Sequence, residues 1–431
     1  MATRARELNW VVRGGTARTA AGATFPVSVD AVTVGRDPGA QIMIADPEVS
    51  ALHCELRAVR QGVLVRDLGS TNGTFVGAFR ATEGIISTPM ELVVGSSKLW
   101  IEPSGTPTKV DVGTSDRFGS LVGSSPRMRR VFSVLEKIAP TPLSVLILGE
   151  TGTGKEGVAK AVHDASPRSG KPFVVVDCGS IPPTLAESLL FGHEKGSFTG
   201  AGERRTGALL EAHGGTLFLD ELGELPPELQ PKLLRALSER QVKRVGASTF
   251  EPIDVRVLAA TRRDLAVEMN AGRFRSDLFF RIAQVRVELP PLRDRRGDLP
   301  LLVEDVCAKL GKTAQAAEVM AWIERHMDGH DWPGNVRELV NIASVAATLA
   351  GTPGAIDDVL ALTRHAAPEA PTGPMSAFND AKRAAIARFE KDYFAALAHA
   401  AAGNISEMAR QSGIERHHVR AYLRRHGMGK T

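Results

Sequence analysis

The sequence predicts a multidomain protein in which an all-β sandwich is followed by an α/β domain and then by an all-α domain. Two segments rich in small and turn-forming residues, 103–117 and 351–377, have little to bury and are predicted to be linkers. The pattern of apolar residues changes at each of them, from β-rich to mixed and then to helical. The length of 431 residues also exceeds what one hydrophobic core usually supports.

The first block, 11–102, contains short β-rich segments with turn residues between them. This spacing is typical of an all-β sandwich. The predicted strands are 27–34, 41–44, 53–59, 62–66, 90–94 and 97–101.

The central block, 118–350, alternates apolar segments with helical patterns. Strands that are apolar on both faces are typical of a parallel sheet covered by helices. The predicted strands are 143–148, 173–177, 216–220 and 255–260.

Composition favours a cytoplasmic protein with no membrane partner. Hydrophobic residues make up 43% of the chain and charged residues 24%, and no apolar run approaches the roughly 20 residues that span a bilayer. The first residues mix arginine and glutamate, unlike a secretory signal. Three scattered cysteines fit a reducing compartment.

A glycine-rich turn follows the strand at 143–148, and a helical pattern follows the turn. This order predicts a P-loop, in which backbone N–H groups cradle phosphates and Lys155 reaches the terminal ones. Glu156 stands where a serine or threonine usually ligates Mg²⁺. The candidate ATP-binding residues are Gly149, Glu150, Thr151, Gly152, Thr153, Gly154, Lys155 and Glu156.

Two carboxylates end the apolar strand at 216–220. Asp220 is the candidate Mg²⁺ ligand, and Glu221 can polarise the attacking water. Hydrolysis also needs positive charge on the γ-phosphate. Arg275, Arg281 and Arg337 are candidates, although only the family resemblance given next distinguishes them from ordinary surface arginines. ATP and Mg²⁺ are therefore the expected cofactors.

With these motifs, residues 118–350 resemble the AAA+ domain of the sigma-54-dependent transcription activators, with a helical lid from about 295. The most specific motif, 196–201, resembles the loop that in this family contacts sigma-54 and that other AAA+ proteins lack. The residues implied in sigma-54 contact are Gly196, Phe198, Thr199, Gly200 and Ala201.

The resemblance also implies roles for the arginines and for the partners. Arg337 would be the sensor II arginine, and Arg275 and Arg281 would be fingers that reach the neighbouring subunit, so a hexameric ring is implied. The sigma-54 RNA polymerase holoenzyme would be the client.

Three positions depart from the family pattern. Ser197 replaces an alanine of the loop, and Asp177 replaces an asparagine that couples Glu221 to the loop. Arg262 follows Thr261 where sensor I usually has an asparagine. Asp177 and Thr261 are therefore candidates for coupling the nucleotide site to the loop.

Three short segments of the first block, 34–36, 50–53 and 67–74, resemble motifs of a forkhead-associated (FHA) domain, which would cover 11–102. A phosphothreonine would be bound by charge-assisted hydrogen bonds and hydroxyl donors, whereas His53 would orient loops. The implied partner is a phosphothreonine-containing protein or a Ser/Thr kinase. The candidate phosphothreonine-binding residues are Arg36, Ser50, Thr71 and Asn72.

The tail predicts a helix-turn-helix. Asn404 is placed to cap a helix with Glu407 as its capping-box partner, and Ser412 and Gly413 form the turn. A second helix from about 415 to 425 carries a basic stripe suited to the DNA major groove, with Val419 and Leu423 on its other side. The candidate DNA-binding residues are Arg416, His417, Arg420 and Arg424.

The tail also resembles the Fis-type domain of sigma-54 activators, covering 378–428 with dimerising helices at 378–401. The combined hypothesis is an activator that binds upstream enhancer DNA, is regulated by a phosphothreonine protein, and uses ATP in an oligomeric ring to open the sigma-54 polymerase complex. Two alternatives stay open: an AAA+ remodeller of another client, and a phosphopeptide-dependent DNA-binding scaffold with idle ATPase motifs.

Overall fold

The computed structural model describes residues 11–106, 108–110, 112–197, 203–350, 356, 394, 397, 401 and 404–425. The chain forms two compact units, Met1–Asp358 and Val359–Thr431. No helix of the described residues is long and apolar enough to cross a membrane. The three cysteines all lie within the described part, and each is a buried free thiol.

The first part of the larger unit is a sandwich of two sheets with strand orders β10-β7-β6-β4-β5 and β3-β2-β12-β11-β8-β9. Its core consists of fully buried aliphatic side chains, among them Val34, Leu56 and Leu92. The strands are β1 (Val11–Val12), β2 (Gly15–Thr19), β3 (Thr24–Val27), β4 (Val32–Gly35), β5 (Ile42–Met43), β6 (Cys54–Val59), β7 (Gly62–Asp67), β8 (Thr74–Val76), β9 (Phe79–Ala81), β10 (Glu83–Ile86), β11 (Met90–Val94), β12 (Ser97–Pro103) and β13 (Thr108–Lys109).

Several details of the sandwich differ from the prediction, and strands β2, β8, β9 and β10 are additional to the predicted ones. The single strand expected at 27–34 is two strands, β3 and β4, because the Asp30 N–H group bonds to the Ser28 hydroxyl in a turn between them (3.4 Å). The predicted linker 103–117 contains β13, which returns to pair with β1 in antiparallel register.

The second part of the larger unit is built on a five-stranded sheet of order β17-β20-β23-β16-β24, in which every pair is parallel. The four predicted strands all occur, and β24 is additional. The strands are β14 (Arg117–Phe118), β15 (Leu121–Val122), β16 (Val145–Leu148), β17 (Phe173–Asp177), β18 (Gly192–His193), β19 (Arg205–Thr206), β20 (Thr216–Asp220), β21 (Gln241–Val242), β22 (Glu251–Pro252), β23 (Arg256–Thr261) and β24 (Val285–Glu288).

Helices cover both faces of this sheet, and three more helices follow it as a lid. The helices around the sheet are α1 (Pro126–Ile138), α2 (Lys155–Asp164), α3 (Pro183–Phe191), α4 (Ala208–Glu211), α5 (Gln230–Glu239), α6 (Leu265–Asn270) and α7 (Ser276–Ile282). The lid contains α8 (Leu299–Lys309), α9 (Ala316–His326) and α10 (Asn335–Leu349). Short 3-10 helices occupy Leu222–Glu224, Leu292–Asp298 and Thr313–Gln315.

The smaller unit contains α11 (Ile405–Ser412) and α12 (Arg416–Arg425). Their shared core is Met408, Val419 and Leu423, which pack with Phe394 and Leu397. The rest of the predicted segment 378–401, apart from Phe394, Leu397 and Ala401, lies outside the described residues, as does the linker 351–377 apart from Ile356.

The cap of α11 was predicted only in part. The Asn404 side chain accepts hydrogen bonds from the N–H groups of Ser406 and Glu407, at 3.0 and 3.4 Å. The prediction of a capping-box hydrogen bond to Glu407 was wrong, because the Glu407 carboxylate accepts hydrogen bonds from Arg410 and Gln411 instead. Gly413 ends the helix in the left-handed region, with φ of 68°.

Candidate functional site

The carboxyl ends of four parallel strands meet at one edge of the central sheet. At these ends lie the P-loop after β16, Asp177 on β17, Asp220 on β20 and Thr261 on β23. Ligands of open parallel sheets bind at this edge. The fold therefore brings together the residues that the sequence predicted as the nucleotide site.

The P-loop adopts the backbone that its glycines allow. Gly149, Gly152 and Gly154 have φ of 159°, 80° and 104°. A Cβ atom built on Gly152 would lie 2.1 Å from the carbonyl oxygen of Gly334, so the loop and the lid touch where a side chain cannot fit. Helix α2 begins at Lys155, directly after the turn, as phosphate binding at a helix N-terminus requires.

Lys155 is buried beneath this loop. Its Nζ donates to the carbonyl oxygens of Gly149 and Glu150 at 3.0 and 3.3 Å, and it lies 3.8 Å from a carboxylate oxygen of Glu221. Glu156 is in the first turn of α2 and is exposed. The lysine charge is thus held between the loop and the second carboxylate of β20.

Asp220 and Glu221 differ in their surroundings. Burial raises the pKa of Asp220, and the neighbouring Glu221 charge adds to the rise, while Lys155 opposes it. Glu221 has a left-handed backbone, with φ of 46°, which is unfavourable for a non-glycine residue. Such strain is concentrated at functional sites, since the surrounding fold must maintain it.

The lid closes over the P-loop through Asn335, a contact that sequence reasoning missed. The Asn335 side chain is fully buried; its Oδ1 accepts from the Leu292 N–H group (2.8 Å), and its Nδ2 donates to the Thr151 carbonyl (3.0 Å) and to Glu150 (3.2 Å). Arg293 also pairs with Glu150, and this hydrogen bond is the main reason that the pKa of Glu150 is lowered. A signal was available for Asn335, because it lies two residues before the candidate Arg337.

The candidate arginines have different positions in the single chain. The exposed Arg337 donates its backbone N–H to the Gly152 carbonyl (3.2 Å), so it lies beside the P-loop. Arg275 precedes α7, is exposed and pairs with Asp277. Arg281 lies in the last turn of α7 and donates to the Leu237 carbonyl (2.8 Å). Neither α7 arginine reaches the P-loop of its own chain through a described contact.

Two of the three departures from the family pattern, Asp177 and Arg262, lie near Glu221. Asp177 Oδ1 accepts from the Gly179 N–H group (2.9 Å), and a Cβ built on Gly179 would lie 3.6 Å from the Glu221 side chain. The backbone N–H of Arg262 donates to Glu221 (3.3 Å), while its side chain extends toward Glu224. Thr261 is buried and accepts from the Arg263 N–H group (3.0 Å).

Of the candidate sigma-54 loop, the structure describes the base. β18 and β19 pair across it, and the Glu194 carboxylate bonds to Arg244 (3.0 Å). Gly196 has φ of 77°, and Ser197 packs against Gly246. Phe198, Thr199, Gly200 and Ala201 lie outside the described residues.

The four candidate phosphothreonine residues lie together on one face of the sandwich. Ser50 Oγ accepts from the Thr71 N–H group (3.0 Å), and the Arg36 N–H group donates to the Ser50 carbonyl (2.9 Å). Asn72 donates to the Glu48 carbonyl (2.8 Å). Ser50 is half-buried and the other three are exposed, so hydroxyl, amide and guanidinium groups remain accessible to a phosphate.

His53 lies beneath this face and holds its loops together, as predicted. Its Nδ1 accepts from the Ser50 N–H group (3.2 Å), and its Nε2 bonds to the Gly73 carbonyl (3.0 Å). Burial lowers the pKa of His53, which favours the neutral ring that can both donate and accept.

On α12, the predicted basic stripe and apolar side are separated. Arg416, His417 and Arg420 are exposed, while Val419 and Leu423 are buried. Arg424 lies within the helix, and its side chain is outside the described residues.

Comparison with known proteins identifies the family. The transcriptional regulatory protein ZraR of Escherichia coli (strain K12) is 44% identical over 315 residues, which cover 72% of this chain and 70% of ZraR. Residues 121–288 match the sigma-54 interaction domain. The chain belongs to the sigma-54-dependent transcriptional regulators.

Other comparisons extend the assignment within this regulator family. Residues 32–97 match the FHA domain, and residues 293–377 match the AAA+ ATPase lid domain. The Nif-specific regulatory protein of Azotobacter vinelandii is 46% identical over 244 residues, 56% of this chain and 47% of that protein. The structure of NtrX from Brucella abortus in complex with ADP is 35% identical, with a TM-score of 0.50, and the match covers 71% of this chain and 69% of NtrX.

These matches confirm the predicted FHA sandwich and the α/β AAA+ domain with its lid. The Fis-type helix-turn-helix stays a prediction, as do the roles of the individual site residues.

Proposed function

We propose that this regulator is an ATPase that opens promoters for the sigma-54 RNA polymerase holoenzyme. The observation that carries the proposal is the convergence of Lys155, Asp220 and Glu221 at one sheet edge inside a sigma-54 interaction domain. NtrX, which shares 35% of its sequence, has been crystallised with ADP, and this supports a nucleotide in the corresponding place.

The residues present fit ATP and Mg²⁺. The glycine turns leave room for phosphates against backbone N–H groups, and Lys155 provides the positive charge beneath them. Asp220 offers a carboxylate ligand for Mg²⁺, which supplies positive charge to the phosphates when bound. Glu221 orients and deprotonates the attacking water, and the fold holds its strained backbone at the end of β20.

The fingers are proposed to act between subunits. Arg275 and Arg281 lie on the α7 side of the domain, and neither has a described contact with the P-loop of its own chain. A finger supplied by a neighbour makes hydrolysis depend on assembly of a ring, and a hexamer is the assembly that the family resemblance implies.

The loop at 196–201 is proposed to pass the nucleotide state to sigma-54. Its base, through Glu194, Arg244 and Val245, is hydrogen-bonded to the segment that leads into β22 and β23, so movement around Thr261 can reach it. Asp177 and Arg262 change the usual coupling residues but leave the phosphate and metal ligands intact.

The decisive experiment measures open-complex formation with sigma-54 RNA polymerase and ATP for wild type and for Thr199→Ala. The variant is expected to keep most of its ATPase activity and to lose promoter melting by at least about tenfold, because the substitution alters the client contact alone. Equal melting by both proteins would overturn the assignment of the loop and favour a different client.

We further propose that the FHA domain binds a phosphothreonine protein, or the kinase that produces it. The convergence of Arg36, Ser50, Thr71 and Asn72 on one accessible face supports this. A phosphothreonine brings two negative charges at most and three acceptor oxygens, which match these donors.

The tail is proposed to bind upstream enhancer DNA as a dimer through the exposed side of α12. Arg420→Ala is expected to weaken operator binding by at least about fivefold, since one phosphate or base contact is worth about 1–3 kcal/mol. ATP turnover should stay unchanged. Unaltered operator affinity, measured at fixed salt, would count against this recognition face.

A further inference from the structure

The FHA domain packs against the ATPase through the underside of its recognition loops. Ala40, Leu52 and Leu68 of the FHA domain are buried in one apolar cluster with Leu265 and Phe279 of α6 and α7. The interface is therefore an extension of the ATPase core, on the side where α7 carries the candidate fingers.

Gly39 of the FHA domain lies directly against helix α7. A Cβ built on Gly39 would lie 2.3 Å from a ring carbon of Phe280, so a larger residue there would require the ring to move. Phe280 lies on α7, beside Arg281.

The most specific contact is made by Asn270, the last residue of α6. Its Nδ2 donates to the carbonyl oxygens of Leu52 and Leu68, at 2.7 and 2.8 Å. Both protons of the amide are used on FHA backbone, and each acceptor belongs to a different recognition loop. One side chain of the ATPase thus holds two FHA loops at a fixed spacing.

Each of these loops leads directly to the phosphothreonine face. The Leu68 N–H group donates to the His53 carbonyl (2.9 Å), and His53 accepts from Ser50 (3.2 Å). Ser50 in turn accepts from Thr71 (3.0 Å). A movement of Ser50 and Thr71 onto a phosphate therefore displaces the backbone to which Asn270 is bonded.

At its other end, α6 is attached to the catalytic centre. Asp264 caps the helix, and the preceding Arg262 N–H group donates to Glu221 (3.3 Å). Beyond Asn270 the chain passes through Arg273, which pairs with Glu268, to Arg275 and α7. Helix α6 lies between the water-activating carboxylate and the fingers, so its position affects both.

Ion pairs surround the apolar contact. Arg57 pairs with Glu288 (2.7 Å), and Arg66 pairs with Asp264. The partly buried Arg286 lies near them, and burial lowers its pKa. Because these ion pairs are partly exposed, they contribute little to the stability of the interface, and a ligand can shift it.

We infer that Asn270 is a positioning residue that couples the phosphothreonine face to the ATPase centre through α6. The inference rests on the proposed function of the FHA domain. The recognition face stays accessible while its underside is docked, so the coupling works by displacement of the loops and not by competition for one surface.

The test uses the full chain and a phosphothreonine peptide selected from a degenerate library on the wild-type protein. Its dissociation constant is measured with and without saturating Mg²⁺ and ADP, for wild type, Asn270→Asp and Lys98→Ala. Asn270→Asp keeps the size of the side chain but directs a carboxylate at two carbonyl oxygens. Lys98 pairs with Glu91 on the FHA surface and serves as the matched control.

The nucleotide is expected to change peptide affinity by roughly fivefold or more in wild type and in Lys98→Ala, in either direction. In Asn270→Asp the ratio is expected to fall to near one, and thermal stability is also expected to fall, because both hydrogen bonds are lost. A purely structural role would lower stability and leave the ratio unchanged. That outcome, or the absence of a nucleotide effect in wild type, overturns the inference.

A second measurement needs no peptide. Hydrogen exchange of residues 50–73 is expected to respond to Mg²⁺ and ADP in wild type and not in Asn270→Asp. If no peptide binds the wild type, the proposed phosphothreonine function fails, while this exchange still decides the coupling. If peptide binds and the hydrogen exchange of residues 50–73 does not change with nucleotide, the proposed coupling alone is wrong.

Discussion

Asp46 shows how a single carboxylate holds the loop that leads to Ser50. Its Oδ2 accepts from the hydroxyls of Ser97 and Ser96 (2.7 Å each) and from the Ser96 N–H group (3.0 Å), while Oδ1 accepts from Glu48. These hydrogen bonds, first that of Ser97, lower the pKa of Asp46 from 3.8 to about 2. The loop is thus held by the Asp46 carboxylate, which must be ionised to accept these hydrogen bonds.

The lowered pKa gives a pH dependence with a defined sign. Since the folded state favours the ionised form, the contribution of Asp46 to stability is fully present above pH 3.8 and is lost as the pH falls toward about 2. Asp46→Asn should lower the unfolding temperature of the FHA domain at pH 7 and have a smaller effect near pH 2. Calorimetry of the full chain across this range, with the exposed Glu83→Gln as a control, checks it. If the unfolding temperatures of Asp46→Asn and wild type differed by the same amount at every pH, this prediction would be wrong.

Backbone strain is the other residue-scale feature of the nucleotide site. Among the described residues, four non-glycine residues have positive φ: Glu221, Arg240, Trp332 and Asn335. Three of them border the P-loop or the lid turn above it. Strain of this kind persists only where packing enforces it, so the fold stores energy where hydrolysis is proposed to occur.

Among the elements, the N-terminus of α10 is positioned by Asn335. Its side chain joins three separate segments: the P-loop, the Leu292 turn and the lid helix. Asparagine is also among the residues that best tolerate its φ of 52°.

Asn335→Ala should therefore loosen the lid. It leaves the buried Leu292 N–H group without this partner, at a cost of about 1–3 kcal/mol, and it removes the partly buried hydrogen bond to the Thr151 carbonyl. Nucleotide affinity should fall about tenfold or more, since the P-loop loses its lid contact. Thermal unfolding and nucleotide titration measure both effects, and Asn341→Ala on the exposed side of α10 is the control. Unchanged affinity in Asn335→Ala would show that the lid closes without it.

Elements were predictable from the sequence where burial alone defines them. Strand β20 was predicted with its observed bounds, because its apolar side chains are buried on both faces. Strand β17 was also predicted with its observed bounds, although only Val176 in it is buried and Val175 is exposed. Strand β2 was missed, since Ala17 is its one buried residue and its pairing with β12 is long-range. Glu407 was misassigned because Arg410 and Gln411, one turn further, compete for its carboxylate.

The candidate site was predictable to a similar degree. Local sequence motifs identify the P-loop, the two carboxylates at the end of β20 and the recognition loops of the FHA domain. Asn270 carries no such motif, because its acceptors Leu52 and Leu68 are 218 and 202 positions away in the sequence. Contacts at such a separation depend on how the domains dock, which periodicity does not encode.

At the scale of the whole molecule, the candidate finger arginines make no described contact with the P-loop of their own chain. Lys155, Asp220 and Glu221 lie on the sheet edge, whereas Arg275 and Arg281 lie on the α7 side with partners of their own. Head-to-tail contacts between identical subunits can bring these two surfaces together and close into a ring.

This arrangement predicts complementation between two inactive variants. Lys155→Ala lacks the phosphate loop lysine and keeps its fingers, while Arg275→Ala/Arg281→Ala keeps the loop and lacks the fingers. When the two variants are mixed in equal amounts, random assembly places an intact loop beside intact fingers at about a quarter of the interfaces. ATPase activity should therefore recover to about a quarter of the wild-type value. Phosphate release after subunit exchange is the measurement. A mixture of Lys155→Ala with Glu221→Gln should stay inactive, because both lesions fall in the same half of the site; if the finger mixture also stays inactive, the fingers do not act in trans.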